Sequence, residues 1–264
     1  MIKIFTVDAF TDTPFTGNPA AVCIPDHEIS DSLMQSIAFE MNLSETAFLT
    51  ERNDGFGLRW FTPKAEVELC GHATLASAHI LWQENIIPDS QEAVFHTMYK
   101  GILKALKNGN EITLNFPANI PSPSNANEIL SKALNVNPVN FFVTDNHYLI
   151  ELNSETELRN VNPDFSLLKT FPKYGTILTC RSDDQEIDFV SRFFAPAKGV
   201  DEDPVTGSAH CVLAPYWSDK LGKNKMNAYQ ASERGGKLTV EFSGDRVLIS
   251  GSAVTVTKGE LFLS

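Results

Sequence analysis

Asp201-Glu202-Asp203-Pro204-Val205-Thr206-Gly207-Ser208-Ala209-His210-Cys211 is the stretch on which the fold is read. Acids and a proline precede a turn of small residues, and Ala209, Val212, Leu213, Ala214, Tyr216 and Trp217 continue as an apolar run. The pattern is that of a loop feeding the N-terminus of a buried helix. A helix start presents unpaired N–H groups and a partial positive charge, and glycine lets a ligand approach the backbone, so an anion can sit there. Ordinary capping produces the same signature, so the stretch alone does not decide.

Working outward, the chain carries the pattern twice. Leu58-Arg59-Trp60-Phe61-Thr62-Pro63 and Ser191-Arg192-Phe193-Phe194-Ala195-Pro196 share Arg, Phe and Pro at a constant offset of 133 residues. Cys70-Gly71-His72-Ala73 then faces Thr206-Gly207-Ser208-Ala209 at an offset of 136. Each half reads as a strand, a loop and a Gly-headed apolar helix. Such a repeat predicts two similar halves rather than a solenoid. It also predicts that the two helix starts are aimed at one cleft.

With 264 residues there is ample core for two medium domains or one large one. A net charge of −12 disfavours nucleic acid and anionic membrane surfaces as partners. No apolar run approaches the ~18 residues of a spanning helix. The alternating start, Met1-Ile2-Lys3-Ile4-Phe5-Thr6-Val7-Asp8, reads as a strand instead of a signal peptide, which makes a cytoplasmic location the expectation. Cys23, Cys70, Cys180 and Cys211 are scattered, and the histidines lack metal spacing. Reduced, mostly buried thiols and no metal site are expected.

In order, strands are predicted at 2–9 and 19–24, then a helix capped by Ser30 or Asp31 and ended by Asn42. A strand follows over 43–50, another over 59–62, and the first apolar helix over 71–82. Strands near 93–98, 102–106 and 111–115 lead to a linker rich in proline and serine at 117–125. The second half repeats the outline. A helix is expected at 126–134, and strands near 139–144, 147–151, 175–181 and 187–194. The second Gly-headed helix is then kinked or ended by Pro215, and Gly-punctuated strands fill 226–263.

Glu45 is the candidate base: a carboxylate among apolar neighbours is desolvated, which raises its pKa toward a useful range. The competing reading puts it on a strand's solvent face. His72 can donate to a substrate or serve its helix. Asp203 can orient a substrate amine or hydroxyl, or cap the Gly207 helix. Asp201 and Glu202 read as solvated loop charge. Ser208 lies in no G-x-S-x-G motif, and no nucleotide-binding glycine motif occurs.

Five ordered blocks carry a resemblance. They are Val7-Asp8-Ala9-Phe10, Gly17-Asn18-Pro19, Asn42-Leu43-Ser44-Glu45-Thr46-Ala47-Phe48, Cys70-Gly71-His72-Ala73-Thr74 and Glu202-Asp203-Pro204-Val205-Thr206-Gly207-Ser208-Ala209. Over essentially its whole length the chain resembles the phenazine-biosynthesis PhzF-like isomerases. The resemblance implies a diaminopimelate-epimerase-like α+β fold. Two pseudo-symmetric domains, 1–120 and 121–264, would each wrap a curved, barrel-like sheet around a central buried helix. The last strands could pack back on the first domain. It further implies Glu45 as acid/base, His72 and Asp203 as substrate-orienting side chains, and Gly71, Gly207 and Ser208 as donors at the helix starts. A small carboxylate-bearing substrate, no cofactor and a homodimer complete the expectation.

Related racemases use a cysteine at each helix start. This chain keeps Cys70 but has Thr206 in the other position, and a threonine hydroxyl is far too weak an acid to replace a thiolate. Three readings follow. The first is a cofactor-free isomerase working through Glu45. The second is a racemase or epimerase pairing Cys70 with Glu45 or His72, and the third a binding protein without catalysis.

Overall fold

The computed structural model describes residues 1–262, and residue 263 of the expected final strand segment lies outside them. The chain divides into two compact units. One is Met1–Asn115 with the segment from Ser250 onward, the other Phe116–Ile249. The first holds β1 (Ile2–Ala9), β2 (Asn18–Pro25), α1 (Asp31–Met41), β3 (Glu45–Arg52), β4 (Gly55–Phe61), β5 (Glu66–Val67), α2 (Gly71–Gln83), β6 (Ala93–Thr97), β7 (Ile102–Asn108) and β8 (Glu111–Pro117). Next come β9 (Ser122–Pro123), α3 (Glu128–Leu134), β10 (Asn140–Val143), β11 (His147–Glu151), α4 (Glu155–Arg159), α5 (Phe165–Leu168), β12 (Gly175–Arg181) and β13 (Phe189–Phe194). The second unit ends with α6 (Gly207–Leu221), β14 (Lys225–Gln230), β15 (Gly236–Ser243) and β16 (Arg246–Gly251). Finally β17 (Ala253–Leu261) lies antiparallel to β1 in the first unit.

The duplication is legible in the strand pairing. In the first unit β1 is antiparallel to β2, β2 parallel to β3, β3 antiparallel to β4, β4 parallel to β6, and β6 antiparallel to β7. The second unit runs the same series through β10, β11, β12, β13, β14 and β15. A parallel pair needs a crossover, and each one here has helices in it. α1 links β2 to β3 and α2 links β4 to β6. In the second unit α4 and α5 link β11 to β12, and α6 links β13 to β14. α4 and α5 have only five and four residues, too few to show a helical period in the sequence. The expected linker is not featureless either, because β9 pairs with β10 there.

Each unit is an α+β layer system in which a sheet covers one enclosed helix. In α2, Ala73, Leu75, Ala76, Ala78, Ile80, Leu81 and Trp82 are all buried. Its buried hydroxyls turn inward: Thr74 donates to the Cys70 carbonyl at 2.6 Å and Ser77 to the Ala73 carbonyl at 2.7 Å. A helix apolar on every side can sit only inside. α1 packs on the opposite face of the sheet, where Met34, Ile37 and Ala38 meet Cys23, Phe48 and Phe61. Ser30 caps it and Asn42 closes it in the left-handed conformation.

α6 rules out one of the two outcomes expected at Pro215, an end to the helix. Pro215 neither ends the helix nor stops its burial, and Tyr216, Trp217 and Ser218 beyond it are enclosed. Proline has no N–H to give the Cys211 carbonyl one turn back. That carbonyl accepts instead from the Asn119 N–H at 3.0 Å. Past the proline, Trp217 stacks on Phe189 and donates to Thr179 at 2.9 Å, and Tyr216 donates to Glu151 at 2.8 Å. These contacts offset a mid-helix proline, which costs ~3 kcal/mol, because each buried aromatic returns about 1.5–3 kcal/mol.

Candidate active site

Glu45 opens β3. Side chains alternate along a strand, so Glu45 shares a face with Ala47 and Leu49, while Phe48 points to α1 on the other side. That inner face meets the start of α2. Glu45 Oε2 lies 3.2 Å from His72 Nε2, with 18% of the glutamate side chain exposed and 6% of the histidine. The carboxylate is thus the member a ligand can reach, and the imidazole lies behind it.

Asn18 sets the state of that imidazole. Its Nδ2 is 3.2 Å from His72 Nδ1, and an amide N–H can only donate. Nδ1 therefore accepts, the ring proton sits on Nε2, and Nε2–H donates to Glu45. Burial pushes His72 down to about 3. An adjacent carboxylate pulls the other way, but enclosure of the whole ring dominates, and the imidazole is neutral at pH 7. The contact is a charge-assisted hydrogen bond and not an ion pair.

The turn between β1 and β2 places Asn18. Asp8 is buried and accepts from the Phe15 N–H at 2.7 Å. Gly17 has φ +67°, and a Cβ there would stand 2.3 Å from the Ala9 carbonyl oxygen. Only glycine fits. Cys70 completes the group, with Sγ 3.5 Å from His72 Nδ1. The other three cysteines are inert: burial pushes Cys23, Cys180 and Cys211 up to about 12.

In the second unit, the start of α6 gathers Asp203, Thr206 and Gln230. The Thr206 hydroxyl donates to Asp203 Oδ2, and the Thr206 N–H donates to Gln230 Oε1 at 2.9 Å. Gln230 Nε2 donates to the Asp203 carbonyl at 2.7 Å and to the Thr206 hydroxyl at 3.2 Å. Gly207 is buried and Ser208 exposed. Gln230 escapes the sequence reading because it arrives on β14 with no motif around it. Asn18 lies in one of the resemblance blocks but carried no assigned role.

Both central helices begin without a side-chain cap at Cys70 or Thr206. α1, α3, α4 and α5 are all capped, by Ser30, Asn127, Ser154 and Asp164. A missing cap costs ~1 kcal/mol, which the burial of Leu75, Ile80, Leu81 and Trp82 readily covers. The loops entering these helices are held alike. Arg59 grips Glu66 through two hydrogen bonds of 2.8 Å, and Arg192 grips Glu202 through bonds of 2.7 and 2.8 Å. Glu202 is therefore not solvated loop charge. Glu66 and Glu202 stand at the same 136-residue offset as the two glycines, and that signal could have found them.

Comparison with known proteins agrees with this architecture. The family described as phenazine biosynthesis-like protein matches residues 7–259. An uncharacterized isomerase of Halalkalibacterium halodurans is 52% identical, with 98% of each chain covered. A human phenazine biosynthesis-like domain-containing protein is 40% identical over 98% of this chain and 99% of its own. A solved PhzF-family protein of Enterococcus faecalis superposes with a TM-score of 0.95 at 38% identity, covering 99% of both chains. A probable proline racemase from Agrobacterium radiobacter, only 9% identical, shares the fold with a TM-score of 0.66 over 100% of this chain and 94% of its own. By sequence and by fold, this chain belongs to the phenazine biosynthesis-like (PhzF) family.

Proposed function

We propose that the protein is a cofactor-independent isomerase that moves a proton within a small carboxylate-bearing metabolite, with Glu45 as the general acid/base. The observation that carries this reading is the Glu45–His72–Asn18 chain. It holds a partly accessible carboxylate against a neutral imidazole whose tautomer is fixed from behind. Glu45 takes a proton from an acidified carbon and returns it elsewhere on the molecule. The His72 Nε2–H keeps the carboxylate oriented through both steps. The uncapped start of α2, beside Glu45, offers backbone N–H donors for the substrate's carboxylate and developing charge. The names of the relatives, isomerase among them, support the reaction class.

Geometry weighs against the racemase alternative. Two bases working on opposite faces of one carbon each need ~3–3.5 Å to it, so they stand about 6–7 Å apart. The reactive atoms of Glu45, Cys70 and His72 all lie within 4.8 Å of one another. They serve one face.

Solvent deuterium exchange into cyclic amino acids and hydroxy acids, followed by NMR, tests the proposal. Glu45→Gln should lower exchange by about 10²–10⁴-fold, the usual contribution of a positioned acid/base. Exchange at the wild-type rate in that variant removes Glu45 from the role.

A further inference from the structure

We propose that Glu45, Cys70 and His72 also form a site for a soft divalent cation, zinc above all, and that the bound metal switches the proton carrier off. One thiol, one imidazole nitrogen and one carboxylate oxygen lie within 4.8 Å of one another. His72 Nε2 is 3.2 Å from Glu45 Oε2 and 3.9 Å from Cys70 Sγ. Zinc bonds of ~2.0–2.3 Å to such donors at tetrahedral angles put neighbouring ligand atoms about 3.3–3.6 Å apart. The two separations from His72 are within a few tenths of an ångström of that, and the thiol and carboxylate, within 4.8 Å of each other, need close by no more than about 1.5 Å to join it. Three protein ligands leave the fourth tetrahedral position to water or substrate.

The donor set selects the metal. Thiolate and imidazole favour zinc and its softer neighbours, whereas magnesium and calcium take oxygen. Cys70 and His72 are 7% and 5% exposed, and the more open Glu45 gives the ion its way in. On binding, the Cys70 thiol proton leaves to solvent. The His72 proton moves from Nε2 to Nδ1, the Asn18 amide turns so that its Oδ1 accepts there in place of its Nδ2 donating, and the metal takes the freed Nε2 lone pair. With its oxygen on the metal, Glu45 can no longer accept a substrate proton. The inhibitory half of the proposal rests on Glu45 being that carrier, while the binding half does not. Ligands drawn from positions 45, 70 and 72 show no metal spacing in the sequence.

The full-length protein should bind one equivalent of cobalt(II), with a thiolate-to-cobalt charge-transfer band and the intense visible bands of a tetrahedral site. Zinc should displace it. Cys70→Ser and His72→Gln should each weaken binding at least tenfold and Cys70→Ser should erase the band, with thermal midpoints reporting that the variants are folded. If Cys70→Ser does not fold, His72→Gln decides. Absence of the thiolate band in the wild type, or an unchanged titration in the folded variants, overturns the site. Zinc should also stop solvent exchange, and a chelator should restore it. Metal binding in a protein with no exchange to inhibit would sink the isomerase reading and leave the site standing. Exchange without metal binding would do the reverse.

Discussion

His72, His147 and His210 are each 5% exposed or less, and burial pushes them down to about 3, 4 and 4. In the unfolded chain they titrate near ~6.5, so the unfolded state binds more protons between the two values. Their contribution to stability is complete above ~6.5 and is lost as pH falls toward the folded values, by up to about 1.4 kcal/mol per histidine per pH unit. Denaturant unfolding at pH 7 and pH 5 should therefore give a clearly lower stability at pH 5. A flat profile across that window would mean that these rings are not held neutral. What surrounds a residue was legible only where the sequence carries environment, as for Glu45, whose apolar neighbours leave its side chain 18% exposed beside His72. Glu202 was misread because a sequence shows a charge but not its partner, and Asn18 and Gln230 were silent because an amide at a strand end breaks no pattern.

At the level of elements, hydropathy and punctuation located the long pieces, and the offsets of 133 and 136 residues announced the duplicated strand and helix. The rule that proline ends a helix failed at Pro215, because tertiary contacts outweigh a local cost. Asn119 is the link in that compensation. Asn119→Pro should destabilise the protein by about 1–3 kcal/mol, the cost of leaving a buried carbonyl unpaired. In a Pro215→Ala background the restored helix N–H serves Cys211, and the same substitution should cost markedly less. Equal losses in the two backgrounds, measured by urea unfolding, would show that the Asn119 hydrogen bond does not replace the missing one.

Across the whole molecule, the two units repeat one strand order around one kind of helix, yet their chemistry has diverged. The first unit carries a carboxylate, a thiol and an imidazole at its helix start, whereas the second carries Thr206 held between Asp203 and Gln230. Shape has been kept twice, whereas the cluster of carboxylate, thiol and imidazole occurs at one of the two helix starts. Under the proposed function, in which Glu45 alone takes and returns the proton, the stereochemistry follows. A molecule handled by a single carrier must lose and regain hydrogen on the same face, a suprafacial shift, and its configuration cannot be scrambled. Turnover in deuterated water should therefore deliver label to a single face of the product, as chiral NMR analysis would reveal. Label spread over both faces would mean that a second carrier exists beside Glu45.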